Sequence, residues 1–370
     1  MIKKILRKIR LRSRLAKFKL KKRIDAERNQ EEFLVTKNYP VDKTEPLTKE
    51  EKDAVARLWG QLLPVKSYCE FEMFKKMHGF DQRFLTHNIY LPIVAHLLND
   101  YKYTKLFDDK GLLGYITPTC IRFPFCFIRG IEGCFYDDKM RQISFEEAVN
   151  ICCKQDKLFI KPSHETSGGK GTELVNLEGK SESLKREVIE KKIKSRTNDF
   201  VVQECIRQHP IMAQFNESSL NTFRVTTLCL NGEFSVCSIV VRCGKVGSSV
   251  DNWGAGGIMI AVSPDGDVND VGHDIQLNEY KSNGNCVFAN CHIPQMKKIL
   301  SLIEKAHVEN FAICKFIGWD IAIDENGDPV IIELNSSQPG VIGEQLVSGP
   351  IFGKRTQEVI DYCKNRTFKY

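Results

Sequence analysis

Neither of the common phosphate-binding fingerprints, GxxxxGK[ST] or GxGxxG, occurs anywhere in the 370 residues. That excludes P-loop and dinucleotide-fold sites. The 14 cysteines include no CxxC pair, and two of them, Cys152 and Cys153, are adjacent, so they are expected to be reduced structural thiols of a cytosolic protein. Cys286, Cys291 and His292 are close in sequence, but their spacing matches no standard zinc site. No apolar run approaches the ~18 residues that cross a bilayer, and the N-terminus has no apolar signal-peptide core. No Ser–His–Asp or Cys–His nucleophile pattern is evident, and there is no internal repeat. The expected location is therefore cytoplasmic.

Acids are also absent from residues 1–24, which hold 12 Lys and Arg. Removing that segment turns the formal charge of +7 into a mildly acidic remainder, 42 basic against 47 acidic residues. A cationic tail on an acidic body argues against a general nucleic-acid binder. Ile2, Ile5, Leu6, Ile9, Ala16, Leu20 and Ile24 share one helical face, while Leu11, Leu15 and Phe18 do not. The tail reads either as a basic amphipathic helix on an anionic membrane surface or as a solvated tail or a helix packed on its own domain.

Residues 25–105 mix helical patterns, Lys49–Leu63 and Tyr90–Asn99, with polar connections and carry no motif. From about Asp108 the texture changes to short apolar runs broken by Gly and Pro. Strands are expected at Phe159–Lys161, Thr172–Leu177, Phe200–Cys205, Phe223–Leu230, Phe234–Arg242, Ile258–Val262, Lys315–Asp324 and Pro329–Asn335. Helices are expected at Glu182–Lys194, Ile293–Phe311 and Gly353–Lys364. The interleaving points to an α/β or α+β, enzyme-like chain.

Two stretches carry chemistry. In Gly318-Trp-Asp-Ile-Ala-Ile-Asp-Glu-Asn-Gly-Asp-Pro-Val-Ile-Ile-Glu-Leu-Asn335, Asn326-Gly327 predicts a two-residue type I′ hairpin. That register sets Asp320 opposite Glu333 with Asn335 on the same face. Like charges opposed in an apolar setting are unfavourable unless a cation joins them. Two carboxylates and an amide oxygen suit Mg²⁺; a solvated hairpin face is the alternative. The second stretch, Leu158-Phe-Ile-Lys161-Pro-Ser-His-Glu-Thr-Ser-Gly168-Gly169-Lys170-Gly171, puts a lysine at a strand end before a glycine-rich loop. Such loops let backbone N–H groups approach phosphate, although an ordinary flexible hairpin has the same look. Downstream, Phe200-Val-Val-Gln-Glu204-Cys-Ile is an apolar strand ending on an acid.

The order of these elements resembles the ATP-grasp superfamily. Between the loop and the hairpin run Asn221-Thr-Phe-Arg224-Val-Thr-Thr, Val241-Arg242-Cys-Gly and Asp251-Asn252-Trp-Gly-Ala-Gly256-Gly257. After it come Glu333-Leu-Asn-Ser-Ser-Gln-Pro-Gly and Gly349-Pro-Ile-Phe-Gly. This series is similar to the glutamate-ligase-like branch, and within it to sugar-transfer-associated ATP-grasp proteins of bacterial surface-polysaccharide synthesis, over roughly residues 105–365.

The resemblance implies an α+β ATP-grasp fold with the nucleotide held between two subdomains. Residues 1–24 would be a tail, 25–105 an N-terminal helical region, 106–206 the lid subdomain and 207–370 the core subdomain. It also implies that Lys161 and Lys110, in Asp108-Asp-Lys-Gly, contact ATP phosphates and that Gly168, Gly169, Lys170 and Gly171 close over them. The His164-Glu165 pair departs from commoner forms of that loop. Gln203, Glu204 and Ile206 would hold adenine and ribose, and Asp320, Glu333 and Asn335 one or two Mg²⁺ or Mn²⁺ ions. Arg224, Arg242 and Asn252 would handle an acceptor carboxylate and its acyl-phosphate. The implied activity is ADP-forming carboxylate–amine ligation on a sugar acid or glycan precursor. Phosphorylation of a small-molecule or glycan hydroxyl is the first alternative, and non-catalytic ATP binding in a polysaccharide synthesis complex the second. The partners would be a small-molecule or glycan carboxylate, an amine and, through residues 1–24, the inner face of the cell membrane; nucleic acid is not among them.

Overall fold

The computed structural model describes residues 41–118, 121–164, 171–248 and 251–366, together with 21, 22, 25, 26 and 29. Of the basic tail, only Lys21 and Lys22 fall within it, and both are helical; the amphipathic face expected there lies outside the described residues.

Among the described residues, fifteen strands form two antiparallel sheets and a small hairpin. The first sheet uses β1 (Cys126–Ile131), β2 (Cys134–Tyr136), β3 (Gln142–Ile143), β4 (Lys157–Pro162), β5 (Glu173–Asn176) and β6 (Phe200–Glu204), in the order β3-β2-β1-β6-β4-β5. Helices Phe145–Cys153 and Glu182–Lys194 cover it, burying Ala148, Val149, Cys152, Ile189 and Ile193 against Ile128, Leu158, Ile160 and Val202. The second sheet uses β7 (Thr222–Leu230), β8 (Glu233–Cys243), β9 (Ile258–Val262), β10 (Val268–His273) and β11 (Glu279–Tyr280). The hairpin is β12 (Ser282–Asn283) with β13 (Cys286–Val287); β14 (Phe316–Ile323) and β15 (Pro329–Asn335) complete the second sheet, ordered β11-β10-β9-β8-β7-β14-β15. Helices with antiparallel sheets make the fold α+β.

The second sheet is covered on both faces, which explains its unbroken apolar strands. Odd-numbered residues Phe223, Val225, Ile317, Trp319, Ile321 and Ile323 pack toward helix Met296–Asn310 through Ile299, Ile303 and Ala306. Leu228, Leu230 and Phe316 turn the other way, against the helices of residues 49–98 and the closing helices Ile342–Ser348 and Thr356–Lys364. The motif-free N-terminal region is thus packed on the second sheet rather than standing apart. Its expected helix Tyr90–Asn99 is a π-helical turn, Tyr90–Val94, followed by Ala95–Leu98.

The expected two-residue type I′ turn at Asn326-Gly327 does not form. Ile323 pairs with Pro329, and only Gly327 has a positive φ, +82°. Asp324 explains the difference: its carboxylate accepts from the N–H groups of Asn326 (3.0 Å) and Asp328 (2.9 Å), and its carbonyl from Gly327 N–H (2.9 Å). This stabilises a three-residue loop ending on a left-handed glycine. The I′ turn occurs instead at Asn231-Gly232 (φ +52° and +82°), joining Leu230 to its partner Glu233.

Candidate functional site

Asp320 does face Glu333, for a reason absent from the sequence reading. The longer turn would shift the register by one, but a β-bulge at Ile332 shifts it back, so Asp320↔Glu333 and Gly318↔Asn335 are partners while Ile321 pairs with Ile331. Without the bulge, Glu333 would share the core-facing side of Ile331. The extra residue turns it onto the face of Asp320. Asn335 Nδ2 donates to Asp320 Oδ2 at 3.3 Å.

On the same face, β7 sets Arg224 directly opposite Asp320. Arg224 Nε and Nη2 donate to the two Asp320 oxygens at 2.5 and 3.0 Å. Arg242, on β8, reaches Asp320 Oδ2 at 3.2 Å and donates to Thr222 Oγ1 at 2.9 Å. Burial alone would raise the Asp320 pKa, but the two guanidiniums outweigh it and hold the carboxyl well below the usual range. Burial opposes the Arg224 charge too, and is outweighed by Asp320 and Glu344. The cation that answers the opposed carboxylates therefore comes in part from the chain itself, where the sequence reading looked to a metal.

One lysine arrives from the other sheet and one from a loop packed against it. Lys161, near the end of β4, is buried. Burial pulls its pKa down to about 8 against the opposing pull of Glu333. Lys110 stands in the loop between helices Tyr101–Phe107 and Leu113–Ile116, its N–H donating to Ser163 O at 2.8 Å and its Nζ 2.9 Å from Glu333 Oε2. The same loop is tied to the second sheet, because Asp108 accepts from Ser336 N–H (2.7 Å), Ser336 Oγ (2.6 Å) and Ser337 N–H (3.0 Å). Lys110, Lys161, Glu333, Asp320, Arg224 and Arg242 thus converge where the two sheets meet.

The remaining expected residues stand as follows. Gln203 is buried, with Nε2 3.4 Å from Lys110 O, which links the β6 strand to the lysine loop. Glu204 Oε1 accepts from Phe125 N–H at 2.8 Å and lies 3.7 Å from Arg122, so its carboxylate already has partners; Ile206 follows just beyond the strand. Asn252 leads into a short 3₁₀ turn, and its carbonyl accepts from Gly257 N–H at 3.1 Å. Gly171 has φ +75° and its carbonyl accepts from Arg196 Nη1 at 2.6 Å. Gly168, Gly169 and Lys170 lie outside the described residues. Cys286 and Cys291 meet, Sγ to Sγ 3.4 Å, and burial pushes the Cys286 thiol up to about 12. His292 turns away to Asp267 (2.8 Å).

Three site residues escaped the sequence reading. Glu344 is buried and lies 3.3 Å from Arg224 Nη1; the available signal was a lone acid within the apolar run Val341-Ile-Gly-Glu-Gln-Leu-Val. Asp251 accepts from Thr222 Oγ1 at 2.5 Å, and burial raises its pKa. Both Asp251 and Thr222 sat inside stretches quoted only for their neighbours.

Among the described residues, no group of three or more His, Cys, Asp or Glu is arranged to hold a metal. The donor set is instead two carboxylates and an amide. Asp320 and Glu333 are directly opposed across the hairpin, a juxtaposition that a shared cation favours. Hard oxygen donors in this number fit Mg²⁺, which keeps water and phosphate in the rest of its shell.

Two antiparallel sheets meeting at Lys161 of one and the carboxylates of the other, with Lys110 beside them, give the layout of an ATP-grasp protein. The chain belongs to the sugar-transfer associated ATP-grasp family, whose model matches residues 94–361. No curated protein matches the sequence. Similar solved structures include D-alanyl-alanine synthetase A of Vibrio cholerae, at 11% identity and TM-score 0.38 over 66% of this chain and 60% of that one. The biotin carboxylase domain of Hydrogenobacter thermophilus 2-oxoglutarate carboxylase is at 15% and 0.43, over 73% and 48%. D-cycloserine synthetase DcsG is at 10% and 0.43, over 73% of each chain. The chain spans 60% of the first of these and about half of the second.

Proposed function

We propose that the protein is an ATP- and Mg²⁺-dependent, ADP-forming carboxylate–amine ligase acting on a sugar acid or glycan precursor of bacterial surface polysaccharide. The observation that carries this reading is the convergence of Lys110 and Lys161 with Asp320 and Glu333 beside the Arg224–Arg242 pair. Lys110 and Lys161 would bind the ATP phosphates, with the loop after Ser163 excluding water. Arg224 and Arg242 would orient the acceptor carboxylate for attack on the γ-phosphate, forming an acyl-phosphate and ADP; an amine then displaces phosphate to give the amide. Asp320, Glu333 and Asn335 would hold Mg²⁺, which when bound neutralises phosphate charge. Gln203, Glu204 and Ile206 would hold adenine and ribose.

Hydroxylamine tests the chemistry. With ATP, Mg²⁺ and a panel of uronic and amino acids, the ligase yields a hydroxamate and ADP. ADP release with a phosphorylated hydroxyl and no hydroxamate would make it a kinase, and no turnover would leave an ATP-binding component. The cationic residues 1–24 would set the enzyme on the inner face of the membrane. Among the described residues no helix is long and apolar enough to cross one.

A further inference from the structure

Both carboxylates assigned to the metal are paired with cations assigned to substrate oxygens. Asp320 Oδ1 accepts from Arg224 Nε at 2.5 Å and Oδ2 from Arg224 Nη2 at 3.0 Å, with Arg242 Nη2 3.2 Å from Oδ2. Glu333 Oε2 lies 2.9 Å from Lys110 Nζ. The third donor, Asn335, turns its amide nitrogen to Asp320 Oδ2 at 3.3 Å. A divalent cation and an anionic substrate can therefore be held together only if these pairs exchange partners.

Each guanidinium also has a second acid beside it, which the chemistry proposed above does not use. Arg224 Nη1 lies 3.3 Å from Glu344 Oε1, and Arg242 Nη2 lies 3.8 Å from Asp251 Oδ2. Glu344 is buried. Asp251 is fixed by Thr222, whose hydroxyl donates to it at 2.5 Å and accepts from Arg242 Nη2 at 2.9 Å. Taking a carboxylate from a buried guanidinium strands the charge unless another anion stands by. Here one stands by on each arginine, so Asp320 can let go of both without leaving either cation bare.

We propose that the acceptor carboxylate gates the metal site. By engaging Arg224 and Arg242 through the paired N–H groups that guanidiniums offer, it releases Asp320 to serve as a metal ligand beside Glu333. Phosphate on Lys110 releases Glu333 in the same way. Metal and acceptor then bind co-operatively, each tightening the other by the same factor. ATP held without an acceptor meets an incomplete set of metal ligands, which holds back transfer of its γ-phosphate to water. The inference rests on the ligase reading for its carboxylate, while Glu344 and Asp251 acquire a role as holding acids.

Mn²⁺ titration of the full chain at pH 7, followed by electron paramagnetic resonance without nucleotide, tests the gate. Acetate, the simplest carboxylate, should tighten Mn²⁺ binding about tenfold. Arg242→Met removes one partner of Asp320 and leaves Arg224 on the strand pair; it should tighten Mn²⁺ by a similar factor and remove most of the acetate response. Arg224→Lys keeps the charge but cannot span both oxygens, and should tighten Mn²⁺ by less. Lys161→Met is the control, since it takes a positive charge from the same site but none of the Asp320 partners named above. Circular dichroism checks that each variant is folded. Mn²⁺ affinity at or below the wild-type value in both folded arginine variants would overturn the gate. So would the absence of any acetate response in the wild type, or an equal gain in Lys161→Met, which would assign the effect to the field of the site. No arm contains ATP. A failed hydroxamate screen beside a positive titration therefore refutes the ligase alone, and the reverse refutes the gate alone.

Discussion

Arg224 and Asp320 lie directly opposite each other on neighbouring strands and are joined by two hydrogen bonds, both sealed from solvent. With Arg242 on the same carboxylate, one buried acid holds two buried guanidiniums. Asp320→Asn leaves both without that counter-charge and should cost about 3–5 kcal/mol of stability. Glu333 is partly exposed, so Glu333→Gln should cost under about 1 kcal/mol while abolishing metal-dependent ATP turnover. Urea unfolding of the two variants separates the cases. Equal losses would mean that the pair forms one structural unit with no division of labour.

Glu344 holds the far side of the same guanidinium. Glu344→Gln keeps the shape but removes the second charge, freeing Arg224 to tilt. The expected result is an acceptor KM raised about tenfold with the ATP KM unchanged, from the loss of roughly 1.4 kcal/mol of positioning. If both KM values rise together, Glu344 acts on the fold and not on the arginine.

Apolar runs were enough to find β7, β8, β9, β14 and β15 of the second sheet, because both faces of the sheet are covered; β10, Val-Asn-Asp-Val-Gly-His, and the two-residue β11 are too polar or too short to show. Strands β1 to β3 went unseen: β2 and β3 are two or three residues long, Gly130 interrupts β1, and each is held by pairing, β1 on β6, β2 on β1 and β3 on β2. The carboxylate face was legible although the turn was not, since a bulge and a longer loop shift the register by equal and opposite amounts. No local pattern reveals a bulge of that kind. The lone acid in the apolar run 341–347 marks Glu344 itself, but its partner lies 120 residues earlier and no local pattern points to it. Gly327→Ala tests the turn: at φ +82° a Cβ should cost about 1 kcal/mol, seen as a lower urea midpoint. A neutral result would mean that Asp324 alone fixes the loop.

Lys161 makes nucleotide binding pH-dependent. Burial lowers its pKa to about 8, so the free protein loses that charge above pH 8, whereas bound phosphate would keep the lysine protonated. ATP affinity should therefore be constant below about pH 7.5 and fall toward tenfold per unit above pH 8. Calorimetry in buffers of different ionisation heat would show proton uptake on binding at pH 8.5. In Lys161→Met the affinity should be lower throughout and the uptake absent. A wild-type pH profile in that variant would remove Lys161 from the site.

His307 gives the fold its own pH limit. Its ring is buried between Thr227 Oγ1 at Nδ1 and Cys314 O at Nε2, both 2.8 Å away. Thr227 Oγ1 also accepts from Trp319 Nε1–H at 2.8 Å. The hydroxyl must then donate to Nδ1, leaving Nε2–H to donate to the Cys314 carbonyl, which is the neutral ring. Protonating Nδ1 would set a donor against the Thr227 hydrogen, and burial accordingly pulls the pKa down to about 4. The unfolded chain takes up this proton near 6.5 and the folded chain only near 4, so between those values unfolding consumes a proton. The stabilisation is complete above about pH 6.5 and falls by roughly 3 kcal/mol as the pH drops to 4. His307→Gln can preserve one donor and one acceptor without titrating. Its urea midpoint should therefore decline less than the wild type's between pH 6.5 and 4.5, and parallel declines would mean that other groups carry the acid sensitivity.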